Sequence, residues 1–356
     1  MDQESTSRLT NYPFKFTGSG GEFFKIWIVN VLLTVLTLGI YSAWAKVRTN
    51  RYFYGNTMLN DASFEYLASP IAILKGRLLA LGLFIIYSVV SNLSPIAGMV
   101  VFLLFFAATP YIIVKAISFQ HRMSAYRNIR FDFTGFYKEA AMVNLVWPLL
   151  GVLTLGLLYP LAHQRFVSFY VKNSTYGKAS FDNNALTSSF YNLYLILLAM
   201  TVGLVLAVFA IPFLFLDGVN IFDFNNFRHL DRSIGIILVG LGSISYIALY
   251  LIIFAFFKSK VVNLIMSTTT LGDNFHFTST LSLGKMTWLL SVNALAIICT
   301  AGLAYPWAKV RLAQYRADQT QCVSTASLDD FVGDNIQTSN AIGEEIGEMF
   351  DIGAGL

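Results

Sequence analysis

The strongest constraint on this chain is a succession of seven long apolar stretches. They lie near Phe23–Ala45, Ile71–Ser91, Pro95–Phe119, Ala140–Ala162, Phe190–Leu216, Ile234–Phe257 and Met286–Ala308. A helix needs about 20 apolar residues to cross roughly 30 Å of hydrocarbon, so each qualifies by length. Composition agrees: 56% of the 356 residues are hydrophobic and only 12% are charged, more apolar surface than a soluble chain can bury. The linkers are short and polar, rich in Asn, Thr, Gly and aromatics, with no large soluble domain among them. The expected class is therefore a multi-pass, all-α membrane protein whose first partner is the lipid bilayer. Met1–Thr10 lacks a basic region followed at once by an apolar core. No cleaved secretory signal is expected, and insertion through the first apolar segment fits a bacterial inner membrane.

Several function classes find no support. A net charge of +4 is too small to argue for nucleic acid. Cys299 and Cys322 make no disulfide framework or metal spacing, and His121, His163, His229 and His276 are scattered, as interfacial or capping residues would be. There is no Gly-x-Ser-x-Gly elbow, no His-Glu-x-x-His helix and no phosphate-cradling Gly-x-x-x-x-Gly-Lys. Gly18-Ser-Gly20-Gly21 reads as a turn. No cofactor, metal or catalytic activity is expected.

The first, fourth and seventh stretches share a pattern. The first reads Asn30, then Thr37-Leu-Gly39-Ile-Tyr41-Ser42-Ala-Trp-Ala-Lys-Val-Arg48. The fourth carries Asn144, Thr154-Leu-Gly156, Tyr159-Pro160 and Arg165, and the seventh Asn293, Thr300-Ala-Gly302, Tyr305-Pro306 and Arg311. An aromatic follows each Arg by four residues (Tyr52, Phe169, Tyr315), and a Phe-x-Phe pair precedes each stretch at Phe14/Phe16, Phe131/Phe133 and Phe275/Phe277. This order of matches marks an internal repeat. A pair of ordinary apolar helices separates consecutive copies, joined by Asn92–Ser94 in one case and Asp217–Ser233 in the other. The chain then divides into unit one at 1–130, unit two at 131–274, a truncated third at 275–316 and an acidic tail at 317–356.

Aromatic and Thr-rich runs broken by Gly, Asn or Asp recur in the linkers around Gly55, Gly177 and Gly272 and predict short β-hairpins at the cytoplasmic face. Topology follows from charge. Of the 24 Lys and Arg, only Arg228 and Arg232 fall in the two helix-pair linkers. If those linkers alone face outward, the other 22 lie inside, as the positive-inside rule prefers. The three repeat segments must then enter and leave on one side. Gly39, Gly156 and Gly302 favour a break, and Pro160 and Pro306 forbid a continuous helix. Re-entry is one reading; a kinked but complete span is the other. Asn30, Asn144 and Asn293 read as interhelix hydrogen-bonding groups. Arg48, Arg165 and Arg311 read as interfacial anchors, with Tyr41, Tyr159 and Tyr305 beside them.

The Phe14-x-Phe16-x-Gly18 start, the Tyr41–Arg48 and Tyr305–Arg311 copies and the Phe350-Asp-Ile-Gly353 ending resemble the YjgN-like family of bacterial membrane proteins. The first copy departs from the pattern, with Ser42 where the others have Pro160 and Pro306. The resemblance implies an inner-membrane location and carries no activity or site. Two functions are open: a non-catalytic membrane scaffold or partner-binding protein, favoured by the repeated interfacial surface, or a small-molecule or ion transporter. After Arg316 there is no Lys or Arg, and eight acids follow among Ile342, Ile346, Met349, Phe350 and Ile352. Such a segment, over 340–356, reads either as a simple solvated end or as one that docks on a basic surface of a second copy, of a partner protein or of the chain itself.

Overall fold

A computed structural model describes residues 9–215 and 232–333. Ten short strands close into one antiparallel barrel, in the order β1-β10-β9-β8-β7-β6-β5-β4-β3-β2. The odd strands are β1 (Thr10–Phe16), β3 (Ala62–Tyr66), β5 (Ile129–Phe133), β7 (Ala179–Asn183) and β9 (Phe275–Ser279). The even ones are β2 (Thr57–Leu59), β4 (Ser124–Tyr126), β6 (Ser174–Tyr176), β8 (Thr269–Leu271) and β10 (Thr320–Ser324). Each odd strand leads into a helical excursion and returns as the even strand beside it. A tight turn then opens the next unit. The positive φ values at Asn60-Asp61 (45° and 58°) and Arg127-Asn128 (47° and 64°) suit two-residue hairpins, whose twist matches that of the strands. Five quasi-equivalent units therefore build the barrel, with the five helical excursions on one rim and, among the described residues, the tight turns and the short helix 328–333 on the other.

The expected all-α class is overturned by this barrel. The linkers predict short surface hairpins, whereas the strands extend well beyond those linkers and pair all the way round, β1 joining β10 from Thr10↔Ser324 to Pro13↔Gln321. Three- and five-residue strands are too short to show alternation. Their partners across each excursion lie far away in sequence, as in Phe14↔Leu59. The last strand, Thr320–Ser324, falls within the stretch read as tail. Closure leaves no unpaired strand edge.

One local device sets the register where helices become strands. The first residue of every even strand is Ser or Thr, and its hydroxyl donates to the carbonyl four residues back. The bonds are Thr57 to Phe53 (2.8 Å), Ser124 to Gln120 (2.9 Å), Ser174 to Tyr170 (2.7 Å), Thr269 to Ile265 (2.7 Å) and Thr320 to Arg316 (2.8 Å). Each satisfies a carbonyl left orphaned by the end of its helix.

The excursions are of two kinds. Two are long pairs: α3 (Pro70–Leu93) with α4 (Pro95–Arg122), and α8 (Thr187–Phe215) with α9 (Arg232–Phe256), which continues through a π turn into α10 (Val262–Ser267). Among the described residues, four helices here are long and apolar enough to cross a membrane. The linker between α8 and α9, and the tail segment 340–356, lie outside the described residues.

The other three excursions are short hairpins. Helix α1 (Gly20–Leu36) pairs with α2 (Ser42–Gly55), α5 and α6 (Tyr137–Ala141 and Trp147–Leu153, joined by a π turn) with α7 (Tyr159–Lys172), and α11 (Leu283–Cys299) with α12 (Tyr305–Asp318). Their tips share one geometry. Residues Leu38, Leu155 and Ala301 take φ near 50°, and Gly39, Gly156 and Gly302 take φ near 92°. The glycine N–H bonds to the carbonyl five residues back, at 2.8, 2.8 and 2.7 Å, which is the closing bond of a Schellman turn. The Thr hydroxyl donates to the carbonyl four residues back and accepts the N–H that starts the next helix: Thr37 from Tyr41 at 2.9 Å, Thr154 from Leu158 at 3.2 Å and Thr300 from Ala304 at 2.9 Å. The break is thus closed by its own polar groups.

The first and third hairpins pack side by side below the β1–β10 seam. Trp307 lies 5.1 Å from Phe24, Tyr305 lies 6.1 Å from Trp27, and Gln314 Nε2 donates to the Gly18 carbonyl at 3.2 Å.

Candidate functional site: a phenylalanine-lined cavity

Each odd strand presents a Phe third from its end: Phe14, Phe64, Phe131, Phe181 and Phe277. All five line a cavity of about 760 Å³ that fills the barrel lumen and continues between the helices beneath it. Neighbouring rings pack around the wall: Phe14–Phe64 at 6.2 Å, Phe64–Tyr126 at 4.8 Å, Phe131–Phe181 at 6.4 Å and Phe181–Phe277 at 6.2 Å. The pattern follows from strand geometry. Side chains alternate across a strand, so equivalent positions in equivalent strands project to the same side.

The tyrosine hydroxyls of the wall are spent on backbone. Tyr126 donates to the Leu59 carbonyl at 2.6 Å and Tyr176 to the Tyr126 carbonyl at 3.0 Å. Burial pushes the Cys322 thiol up to about 12, which keeps it protonated and unreactive at neutral pH. Among the described residues, no three of His, Cys, Asp and Glu come together as a metal site would need.

The tight-turn rim is closed. A helical turn at 328–333 follows β10 and places Leu328 and Val332, both buried, in the lumen core. Phe331 packs 4.7 Å from Phe275 and 6.3 Å from Tyr176. The Leu328 N–H donates to Tyr12 Oη at 3.4 Å, and Asp329 forms an ion pair with Arg127, whose guanidinium also donates to the Asn60 carbonyl at 3.1 Å.

At the helical rim the cavity reaches down among α4, α7, α10 and α12 to His121, His163, Tyr170, Ile265 and Arg316. His163 precedes Ser174 by eleven residues, roughly 16 Å of helix, so the space is elongated. Both histidines are held: His121 lies 3.0 Å from the Ile117 carbonyl and 3.1 Å from Ser174 Oγ, and His163 Nδ1 lies 3.0 Å from Tyr194 Oη. Arg316, in the last turn of α12, retains accessible surface at the cavity wall. Crowding by protein lowers its pKa through desolvation.

The residues singled out from sequence lie elsewhere. Asn30 and Asn293 each reach across their hairpin, to the Ala45 carbonyl at 3.5 Å and the Ala308 carbonyl at 3.3 Å. Asn144 instead bonds its own helix, at Ala140, 2.9 Å away, inside the π turn. Arg48 donates to Tyr41 Oη at 3.0 Å, and Arg165 sits 5.9 Å over the Trp147 ring. Arg311 is exposed on α12, Tyr159 and Tyr305 open the second helices of their hairpins, and Pro160 and Pro306 follow them as first-turn residues. Gly39, Gly156 and Gly302 make the tips. None of these lines the cavity. The cavity residues were in view as aromatic linkers and scattered histidines; the available signal was the fivefold recurrence of x-Phe-x and of Ser/Thr-x-Tyr/Leu/Cys.

The family described as "Bacterial protein of unknown function (DUF898)" matches residues 11–349. The chain is similar to "Inner membrane protein YjgN" of Salmonella typhimurium, with 26% identity covering 87% of this chain and 88% of the relative. It is 25% identical to proteins of the same name from Escherichia coli O157:H7 and Escherichia coli K12, with 90% of each chain covered. No solved structure matches.

Proposed function

This chain belongs to the DUF898 family and, like its relatives, is an inner-membrane protein, and from that premise we propose that it is a non-catalytic membrane protein that holds an apolar ligand inside its barrel. One observation carries this: an open-ended cavity of about 760 Å³ that runs from the closed barrel down among the helices and is lined by five equivalent phenylalanines. Ligand sites are concave, mainly apolar and about 300–1,000 Å³ in volume. Helical excursions that leave and return on one rim support a lumen that faces the bilayer.

The three short hairpins are read here as re-entrant. Leu38 and Leu155 at the tips are 95% exposed, and the tip polar groups are satisfied within the turn, which lipid demands. Lys46 lies one turn into α2, roughly 6 Å along the helix from its start at Ser42. The transporter alternative is less well supported, because Leu328, Phe331 and Val332 fill the far mouth of the lumen.

Binding of N-phenyl-1-naphthylamine, a neutral apolar fluorophore, to the purified full-length protein tests the proposal. Near one probe per barrel is expected, and Ala313→Phe, which fills the cavity, should weaken binding at least tenfold with the melting temperature preserved. Equal binding by the folded variant and the parent would contradict it.

A further inference from the structure

Arg316 is the arginine in a cavity wall that is mainly aromatic and aliphatic, with His121, His163, Cys322 and a few Ser and Thr hydroxyls among its other polar groups. Thr320 bonds its backbone carbonyl, and among the described residues its guanidinium has no carboxylate within ion-pair distance and no hydrogen-bond acceptor. Arginine stays charged in proteins, and its planar fork of donors matches carboxylate and phosphate oxygens. Arg316 is exposed where it borders the cavity, so its charge is open to an anionic group that enters there.

Position matters as much as charge. The carbonyl-capping register makes Arg316 equivalent to Phe53, Gln120, Tyr170 and Ile265 in the other four units. Where Tyr170 and Ile265 present apolar surface to the same cavity, the fifth unit presents a cation. Arg316 thus belongs to the level at which the helices enter the barrel, between the strands that carry the phenylalanines and the helices that carry His163.

Resting on the apolar-ligand reading above, we propose that the ligand is a single-chain amphiphile with an anionic head, a carboxylate or a phosphate ester, whose head pairs with Arg316 while its chain lies against Phe14, Phe64, Phe131, Phe181 and Phe277. One chain matches an elongated lumen with one cation, and the head sits on the membrane side of the barrel, where such amphiphiles are found.

The test uses the full chain in phosphatidylcholine nanodiscs. An 11-(dansylamino)undecanoic acid probe is titrated beside its methyl ester, which has the same chain and no charge. The acid should bind at least tenfold more tightly than the ester. Arg316→Gln should bring the acid to the ester's affinity and leave the ester unchanged, and Arg316→Lys should keep part of the preference. Lysophosphatidate and unlabelled fatty acid are then compared as competitors with inorganic phosphate, to separate phosphate from carboxylate heads and both from the free ion. Acid and ester binding alike would overturn the assignment of Arg316 while leaving an apolar cavity in place. Binding by neither would refute the cavity reading as well. Displacement by inorganic phosphate alone would replace the amphiphile with a small anion and overturn the proposal.

Discussion

At the residue scale, the hairpin tips show how few positions decide a backbone path. A non-glycine residue in the left-handed region costs about 1–2 kcal/mol, yet Leu38 and Leu155 take it with φ of 49° and 51°. Glycine there would remove the cost, so a leucine in that place has another use, consistent with an apolar anchor. At the tip of the third hairpin Gly302, next to Ala301 and at φ 93°, has nothing within 4 Å of where a Cβ would stand. Gly302→Leu should therefore destabilise through backbone strain alone, by about 1–2 kcal/mol. Leu38→Gly should raise the melting temperature in detergent while weakening membrane retention under alkaline wash. A rise in melting temperature for Gly302→Leu, or a fall for Leu38→Gly, would contradict this account of the tip.

At the element scale, legibility depended on how local each determinant was. The Thr-x-Gly break was readable because its bonds are local: the Tyr41 N–H donates to Thr37 Oγ1 and the Gly39 N–H to the Thr34 carbonyl. The two long helix pairs were readable because apolar length alone decides whether a helix can span. The barrel was not readable. A strand such as Ser174–Tyr176 has three residues, and its partners Phe131–Phe133 lie beyond a whole helical hairpin. Only the recurrence of five Phe-bearing strands reveals the sheet, and the three-copy helical motif drew the eye to a different period. Arg316 was invisible as a site residue because its meaning comes from the Thr320 register and from its four uncharged equivalents. The seam offers a test at this scale. Asn11 and Val323 are paired across β1 and β10, where Cα atoms stand about 4.5–5.5 Å apart, within disulfide range. With Cys299 and Cys322 replaced, the pair Asn11→Cys and Val323→Cys should cross-link within one chain on mild oxidation, whereas Asn11→Cys with Lys178→Cys, in the turn between β6 and β7 across the barrel, should not. Absence of the first cross-link would open the barrel.

At the scale of the whole molecule, closure and topology are one statement. If each odd strand returns beside itself as an even strand after a helical excursion, every excursion begins and ends on the same side of the membrane. The 22 basic residues outside the helix-pair linkers then share that side, and the cavity opens toward the bilayer from within it. Seven complete spans would instead place alternate linkers in opposite compartments and make one barrel impossible. Single-cysteine labelling in a Cys-free background, with a membrane-impermeant maleimide on intact cells and on inverted vesicles, decides between them. The account predicts that Gly55→Cys, Lys178→Cys and Asp273→Cys label only in inverted vesicles and Asn92→Cys only in intact cells. Labelling of Lys178→Cys from outside, with Gly55→Cys protected, would contradict it.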